Sequence, residues 1–110
     1  MLKVKYVKHN TIRFNSVSNR EKGIMMFVEF FDSIVKVETG KEMRGHMILV
    51  SMSDPNGSIV LTFWETKEDM SRFYSRENKR LANLVERAMP LFEKLPERAD
   101  YAVTELFMTQ

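Results

Sequence analysis

The stretch Ser58-Ile-Val-Leu-Thr-Phe-Trp-Glu-Thr66 decides the fold of this 110-residue chain. It has the composition of a β-strand, but both of its faces are apolar. Ile59, Leu61 and Phe63 point to one face, and Val60 and Trp64 point to the other. Successive side chains of a strand point to opposite faces, so a sheet with one solvated face should alternate apolar and polar residues. The strand therefore predicts a cover on each face of its sheet.

Turn and capping residues divide the rest of the chain into elements. Asp54-Pro-Asn-Gly57 is a strong turn signal, and we expect Asn56 or Gly57 to supply a positive φ there. Ser18 or Asn19 is expected to cap a first helix. A second helix should begin at Thr66, with a carboxylate in its first turn, and end near Pro90. The predicted strands are 3–14, 44–52, 58–66 and 101–108. The first predicted helix is 20–37, and Thr39-Gly40 ends it; the second is 67–89, with a polar break at 75–78. Residues 96–100 are predicted to connect the second helix to the last strand.

The order β-α-β-β-α-β is the ferredoxin-like pattern of the α+β class. Right-handed crossovers place both helices on one face of a four-stranded antiparallel sheet. The opposite face would then be a large exposed apolar surface, which is unusual on a soluble monomer. We therefore predict one domain over 1–110 that forms an obligate homodimer through its sheet faces, a dimeric α+β barrel.

Composition excludes several classes of function. The chain has no cysteine, which excludes disulfides, thiolate metal sites and cysteine nucleophiles. Its net charge of +2 and the lack of aromatics among the basic residues of the second helix give no indication of a nucleic-acid partner. The most apolar run, 23–31, is shorter than the roughly 20 residues needed to span a bilayer. We expect a cytoplasmic protein with no membrane partner.

The strand and the helix start that follows it resemble the antibiotic biosynthesis monooxygenase family of the dimeric α+β-barrel superfamily. The likeness is carried by Ser58-Ile-Val-Leu-Thr-Phe-Trp-Glu-Thr-Lys-Glu-Asp-Met-Ser-Arg-Phe73, by the turn before it and by Leu81-Ala-Asn-Leu84, and it covers about residues 3–108. It implies a hydrophobic pocket between sheet and helices that takes a small apolar or aromatic ligand. Some members of the family oxidise quinols or polycyclic aromatics without a cofactor, and others degrade heme.

The heme-degrading branch has an Asn on its first strand, a Trp on the helix after the third strand and a His ten residues later. Asn10 can stand for the first of these, but the Trp and His positions are held by Phe73 and Asn83. Asn is a poor heme ligand, so heme degradation is not predicted. The polyketide branch has an Asn and a Tyr where this chain has Val60 and Met70. Tyr74, one helical turn later, is a candidate substitute for that Tyr.

Two residues carry the remaining hypotheses about chemistry. His46 is the candidate general base, because it is the one side chain of its run that ionises near neutral pH; the alternative is a surface or hydrogen-bonded histidine. Trp64 is either a core aromatic or a pocket wall that stacks on a planar ligand. Phe73, Tyr74 and Asn83 complete the predicted substrate pocket. Two histidines without a placed carboxylate give no basis for a metal site, and no cofactor is predicted.

Two functions from different classes remain open. The first is a cofactor-independent monooxygenase that acts on a small quinol or phenolic substrate. The second is a non-catalytic ligand-binding or structural homodimer of the same fold. A continuous apolar cavity of roughly 300 Å³ or more with a convergent polar group favours the first, and a filled interior favours the second.

Overall fold

A computed structural model describes residues 3–35 and 43–109. The predicted element order is confirmed. No helix in these two ranges is long and apolar enough to cross a membrane. The elements are β1 (Tyr6–Arg13), α1 (Val17–Val35), β2 (Met43–Val50), β3 (Gly57–Trp64), α2 (Lys67–Phe73), α3 (Lys79–Ala88), a 3₁₀ turn (Met89–Leu91) and β4 (Glu97–Ala102).

The four strands form one antiparallel sheet in the order β2-β3-β1-β4. This confirms the ferredoxin-like α+β fold. β1 lies in the middle of the sheet, with β3 on one side and β4 on the other. Asn10 of β1 is opposite Val60 of β3 and opposite Arg98 of β4. The register thus brings residues that lie far apart in the sequence to one face of the sheet.

The two faces of β3 are covered unequally. Its even-numbered residues, from Ser58 to Trp64, are all buried, whereas the odd-numbered ones are half-buried. The even face packs against the helices and forms the core with residues such as Phe27 and Phe30 of α1 and Leu84 of α3. We call the other side the open face; cross-strand pairing assigns to it Val7, His9, Met47, Leu49, Ile59, Leu61, Phe63 and Tyr101. The helices within residues 3–35 and 43–109 pack on the even face and leave the open face without a cover, as the sequence pattern predicts.

α1 begins earlier than predicted. The backbone N–H of Asn19 donates to Ser16 Oγ at 3.1 Å, so Ser16 is the capping residue and the assignment to Ser18 or Asn19 is wrong. The loop contains several residues that can cap a helix, and propensity does not choose among them. The choice follows from the end of β1, where Phe14 still bridges to Phe92 and the chain turns immediately afterwards. The predicted stop at 39–40 lies outside the described residues.

The turn between β2 and β3 forms, but without a positive φ. The Gly57 N–H donates to the Asp54 carbonyl at 3.0 Å, and the Asn56 N–H donates to Asp54 Oδ1 at 3.1 Å. No residue in the described ranges has a positive φ, so that expectation is wrong. The aspartate side chain closes the turn instead. Arg20 of α1 then holds the turn by donating to the carbonyls of Ser51, Asp54 and Gly57 at 3.2–3.3 Å.

The polar break in the predicted second helix separates two helices. Thr66 caps α2, as predicted, and accepts from the Asp69 N–H at 3.1 Å. Asn78 caps α3 by accepting from the Leu81 N–H at 3.2 Å. Its amide group also donates to the Phe73 carbonyl at 2.8 Å, which joins the end of α2 to the start of α3.

β4 is Glu97–Ala102, so the predicted strand at 101–108 and the predicted connector before it are wrong. The apolar alternation after residue 100 suggested a strand, but pairing to β1 selects the more polar segment. Lys8 of β1 forms a salt bridge of 2.5 Å with Asp100 of β4, which supports this register. Phe107, which the prediction placed in the strand, is 78% exposed.

Candidate functional site

An apolar cavity of about 50 Å³ lies between the helices and the even face of the sheet, and it is partly open to solvent. Its apolar lining comes from α1, the end of α2, α3, two strands and the segment after α3. Three polar residues also line it. The lining consists of Asn10, Ile12, Phe27, Phe30, Phe31, Val60, Phe73, Tyr74, Leu81, Leu84, Val85, Phe92, Pro96 and Arg98. The volume is well below the roughly 300 Å³ typical of ligand pockets.

Asn10 connects the other two polar lining residues, Tyr74 and Arg98. It is only 6% exposed. Its Nδ2 donates to the Val60 carbonyl at 3.0 Å and to Tyr74 Oη at 3.3 Å, and its Oδ1 accepts from Arg98 Nε at 3.1 Å. The amide orientation is determined by chemistry, because a guanidinium can only donate and a carbonyl can only accept.

The hydrogen bonds continue from Tyr74 into the core. Tyr74 Oη lies 2.9 Å from Thr62 Oγ1, and Trp64 Nε1 donates to the same Thr62 oxygen at 2.9 Å. Thr62 is fully buried and Trp64 is 1% exposed. A continuous polar network therefore runs from the Trp64 indole through Thr62, Tyr74 and Asn10 to Arg98. We call these five residues the polar network.

Two cations lie against the Tyr74 ring. Lys8 Nζ and Arg98 Cζ are each 4.9 Å from the ring centroid, within cation–π range. Burial raises the pKa of the Tyr74 phenol above its ordinary value, although its hydrogen bonds with Thr62 and Asn10 and the charge of Arg98 act in the opposite direction. The phenol is therefore protonated at neutral pH.

His46 lies outside the cavity. The residue is exposed overall, but its ring stacks on the Phe31 ring, which partly covers it; the centroids are 4.3 Å apart and the angle between the planes is 11°. Partial burial lowers the pKa of His46, and the charge of Asp32 opposes that shift. The imidazole is therefore neutral at pH 7. Within residues 3–35 and 43–109, no three His, Asp or Glu side chains are grouped so that they could hold a metal ion.

The predicted pocket residues do not all line the same cavity. Phe73 and Tyr74 line the cavity. Trp64 is a core residue whose ring lies 5.2 Å from the Phe73 ring, and it reaches this cavity only through the polar network. Trp64 and Phe73 also line a second, larger pocket of about 390 Å³ beside α2 and the start of α3. Asn83 lines a separate polar groove between α1 and α3, beside Arg80.

Sequence reasoning missed two members of the polar network. Thr62 is the polar residue inside the apolar run of β3, and that interruption was the available signal. Arg98 fell in the predicted connector, and its position beside Asn10 follows only from the pairing of β4 with β1. Asn10 itself was singled out through the family resemblance alone.

No protein-family model and no curated protein sequence matches this chain. Solved structures do. A monooxygenase from the ActVA-Orf6 gene of Streptomyces coelicolor, in complex with nanaomycin D, has a TM-score of 0.78 at 14% identity, over 98% of this chain and 95% of that one. A dimeric ferredoxin-like protein from an uncultured marine organism has a TM-score of 0.75 at 12% identity, over 97% and 94% of the two chains. A variant of SnoaB, a cofactor-independent oxygenase from Streptomyces nogalater, has a TM-score of 0.67 at 10% identity, over 93% and 95%.

These identities show a shared fold and not a shared reaction. The chain has the ferredoxin-like α+β fold of the antibiotic biosynthesis monooxygenases, which confirms the resemblance read from β3 and the helix after it.

Proposed function

We propose that this protein is a cofactor-independent monooxygenase that binds a small quinol or phenolic substrate in the apolar cavity. The observation that carries the proposal is the convergence of Asn10, Tyr74 and Arg98 on a cavity whose other walls are apolar. Such a site orients a flat ring by one oxygen atom and keeps the ring out of water. The fold of two solved oxygenases supports the same reading.

The reaction balances without a further reductant. A quinol and O2 give a hydroxyquinone and water: one oxygen atom enters the ring, the other leaves as water, and the substrate supplies all four electrons. The protein then has to orient the substrate, exclude water and manage protons. His46 is the proposed base, but its ring stacks on Phe31 outside the cavity, so that role requires Phe31 to move.

A non-catalytic homodimer of the same fold is the second candidate, and the cavity volume favours it. An engineered protein cavity that binds benzene has about 150 Å³, and the cavity here has about 50 Å³. A ring can enter only if lining side chains move, and Leu81 and Val85 are half-buried members of that lining. If they do not, the interior is a filled core.

The homodimer is part of both proposals. The open face carries large side chains that are substantially exposed, including Met47 at 42%, Leu49 at 42% and Tyr101 at 55%. A second copy packed against this face would remove that apolar surface from water. One of the solved structures with this fold is a dimeric protein. Light scattering at micromolar concentration tests the dimer, and a monodisperse monomer would contradict it.

An oxygenation assay separates the two functions. Dihydroquinones are mixed with O2 and the protein, and oxygen uptake and hydroxyquinone formation are followed for wild type, His46→Ala and Tyr74→Phe. Tyr74→Phe is preferred to a change at Trp64, which would open a hole in the core. A wild-type rate equal to autoxidation would remove the enzyme proposal for this substrate class and leave the homodimer.

A further inference from the structure

The two hydroxyls of the polar network hold one proton more than their shared hydrogen bond can use. The Trp64 indole and the Arg98 Nε can only donate, and they stand at its two ends. Asn10 gives one amide proton to the Tyr74 oxygen. The hydroxyls of Thr62 and Tyr74 bring two protons but share a single hydrogen bond of 2.9 Å. Among the residues that the structure describes, one of these two protons has no acceptor.

Burial decides which hydroxyl holds the unpaired proton. Thr62 is 0% exposed and does not line the cavity, so a proton left on it would have no acceptor at all. Tyr74 lines the cavity, where a bound molecule can accept. The lower-energy arrangement has Thr62 donating to Tyr74, because an unsatisfied buried donor is costly. The Tyr74 oxygen then accepts from Thr62 and Asn10, and its own proton points to the cavity.

Arg98 adds further donors at the same place. Its Nε donates to Asn10, and its remaining N–H groups have no hydrogen-bond partner in the described part of the chain. The charged groups around Tyr74 are Lys8 from β1 and Arg98 and Asp100 from β4, and Lys8 is paired with Asp100. The residues of α1 and α3 that line the cavity are all apolar. Donors and positive charge are therefore in excess at this end.

We propose that Tyr74 and Arg98 bind a ligand oxygen that carries no proton, so that the site selects the phenolate over the neutral phenol. This inference rests on the proposed function, because it concerns the same cavity and the same class of ligand. It also gives the polar network a role in the reaction: the phenolate is the electron-rich form that can pass electrons to O2. This first proton leaves the phenol before binding, so that step needs no base inside the cavity.

The full chain can be tested with 4-nitrophenol, a one-ring phenol whose anion is yellow. The probe is held at a pH equal to its free pKa and titrated with protein. We expect wild type to bind the phenolate about tenfold more tightly than the phenol, seen as a rise in anion absorbance. Tyr74→Phe should lose most of this preference. Tyr6→Phe is the matched control: it makes the same chemical change at a residue of β1 that does not line the cavity, and it should keep the preference.

Binding itself is measured by calorimetry with 4-nitroanisole, which has the same ring and cannot ionise. If 4-nitrophenol binds with an unchanged ratio of anion to phenol, or if Tyr74→Phe keeps the preference, the inference is overturned and the ligand site stands. If neither probe binds, the site and the inference both fail. Phenolate selection without oxygen uptake would remove the monooxygenase proposal alone.

Arg98→Met, on an edge strand, should weaken the preference for the phenolate, and it provides the test if Tyr74→Phe does not fold.

Discussion

Phe14 and Gly23 are in direct contact, with the phenylalanine ring lying against the glycine backbone. A Cβ atom at position 23 would lie 2.8 Å from Phe14 Cζ and closer still to Cε1. Glycine is a poor helix former, yet here it stands inside α1. The contact explains why: it lets the helix approach the end of β1, and Phe14 is fully buried as a result.

Gly23→Ala should therefore destabilise the protein, although alanine favours a helix by about 1 kcal/mol over glycine. The clash with Phe14 opposes that gain, and overpacking of a core costs about 1–3 kcal/mol, so we expect a small net loss. Chemical denaturation measures the free energy of unfolding. Met25→Ala, at an exposed position of the same helix, is the control and should change it by less than about 0.5 kcal/mol. A stabilised Gly23→Ala protein would show that the contact is not tight.

Two buried hydroxyls on the even face of β3 should respond in opposite ways to removal. Ser58 Oγ is buried and has no hydrogen-bond partner among the described residues. Ser58→Ala should therefore leave stability unchanged or raise it by about 0.5–1 kcal/mol.

Thr62→Val is the matched change on the same strand. Its hydroxyl bonds to Trp64 and Tyr74, and its loss would leave the Trp64 N–H buried without an acceptor. We expect a loss of about 1–3 kcal/mol in the free energy of unfolding. Equal effects of the Ser58 and Thr62 substitutions on the free energy of unfolding would argue against the hydrogen bonds of the polar network.

The pH dependence of stability should carry a small contribution from His46. Burial lowers the pKa of this residue in the folded state below the ordinary value of 6.5. Between the folded pKa and 6.5 the unfolded chain binds more protons, so stability rises with pH across that window and is lost as pH falls through it. Unfolding temperatures from pH 5 to pH 8 should show this loss in wild type, and His46→Gln should reduce it. An identical pH profile for the two proteins would contradict the shift.

The open face should determine the oligomeric state. Leu61 lies on this face, on a strand with neighbours on both sides. Leu61→Glu would bury an unpaired carboxylate in a sheet-to-sheet interface, so it should shift the protein to monomer in light scattering. Met52→Glu makes a similar change at a fully exposed loop residue and should leave the mass unchanged. A dimer that survives Leu61→Glu would place the interface elsewhere.

Local chemistry was enough to predict most of the elements. The hydroxyl of Thr66 three residues before Asp69, the Asp54 turn and the polar break at 75–78 each act within a few residues, and the structure contains a cap or a turn at each. The details that failed also show where local rules end. Several residues could cap α1, and the Asp54 side chain removed the need for a positive φ.

Amino-acid pattern by itself determined the β-α-β-β-α-β order and the two apolar faces of β3, because side-chain periodicity and turn chemistry are local properties. Only tertiary structure decided the candidate site. Arg98 and Asn10 lie 88 residues apart, and they meet because β1 pairs with β4. Tyr74 and Asn10 lie 64 residues apart, and they meet because α2, which Tyr74 caps at its C-terminus, packs against β1 and β3. Residues 101–108 look more strand-like than Glu97–Ala102, but pairing to β1 is a long-range choice of register. The hydrogen bonds of the polar network, and so the proton that we propose Tyr74 offers to the cavity, depend on this long-range assembly and on burial.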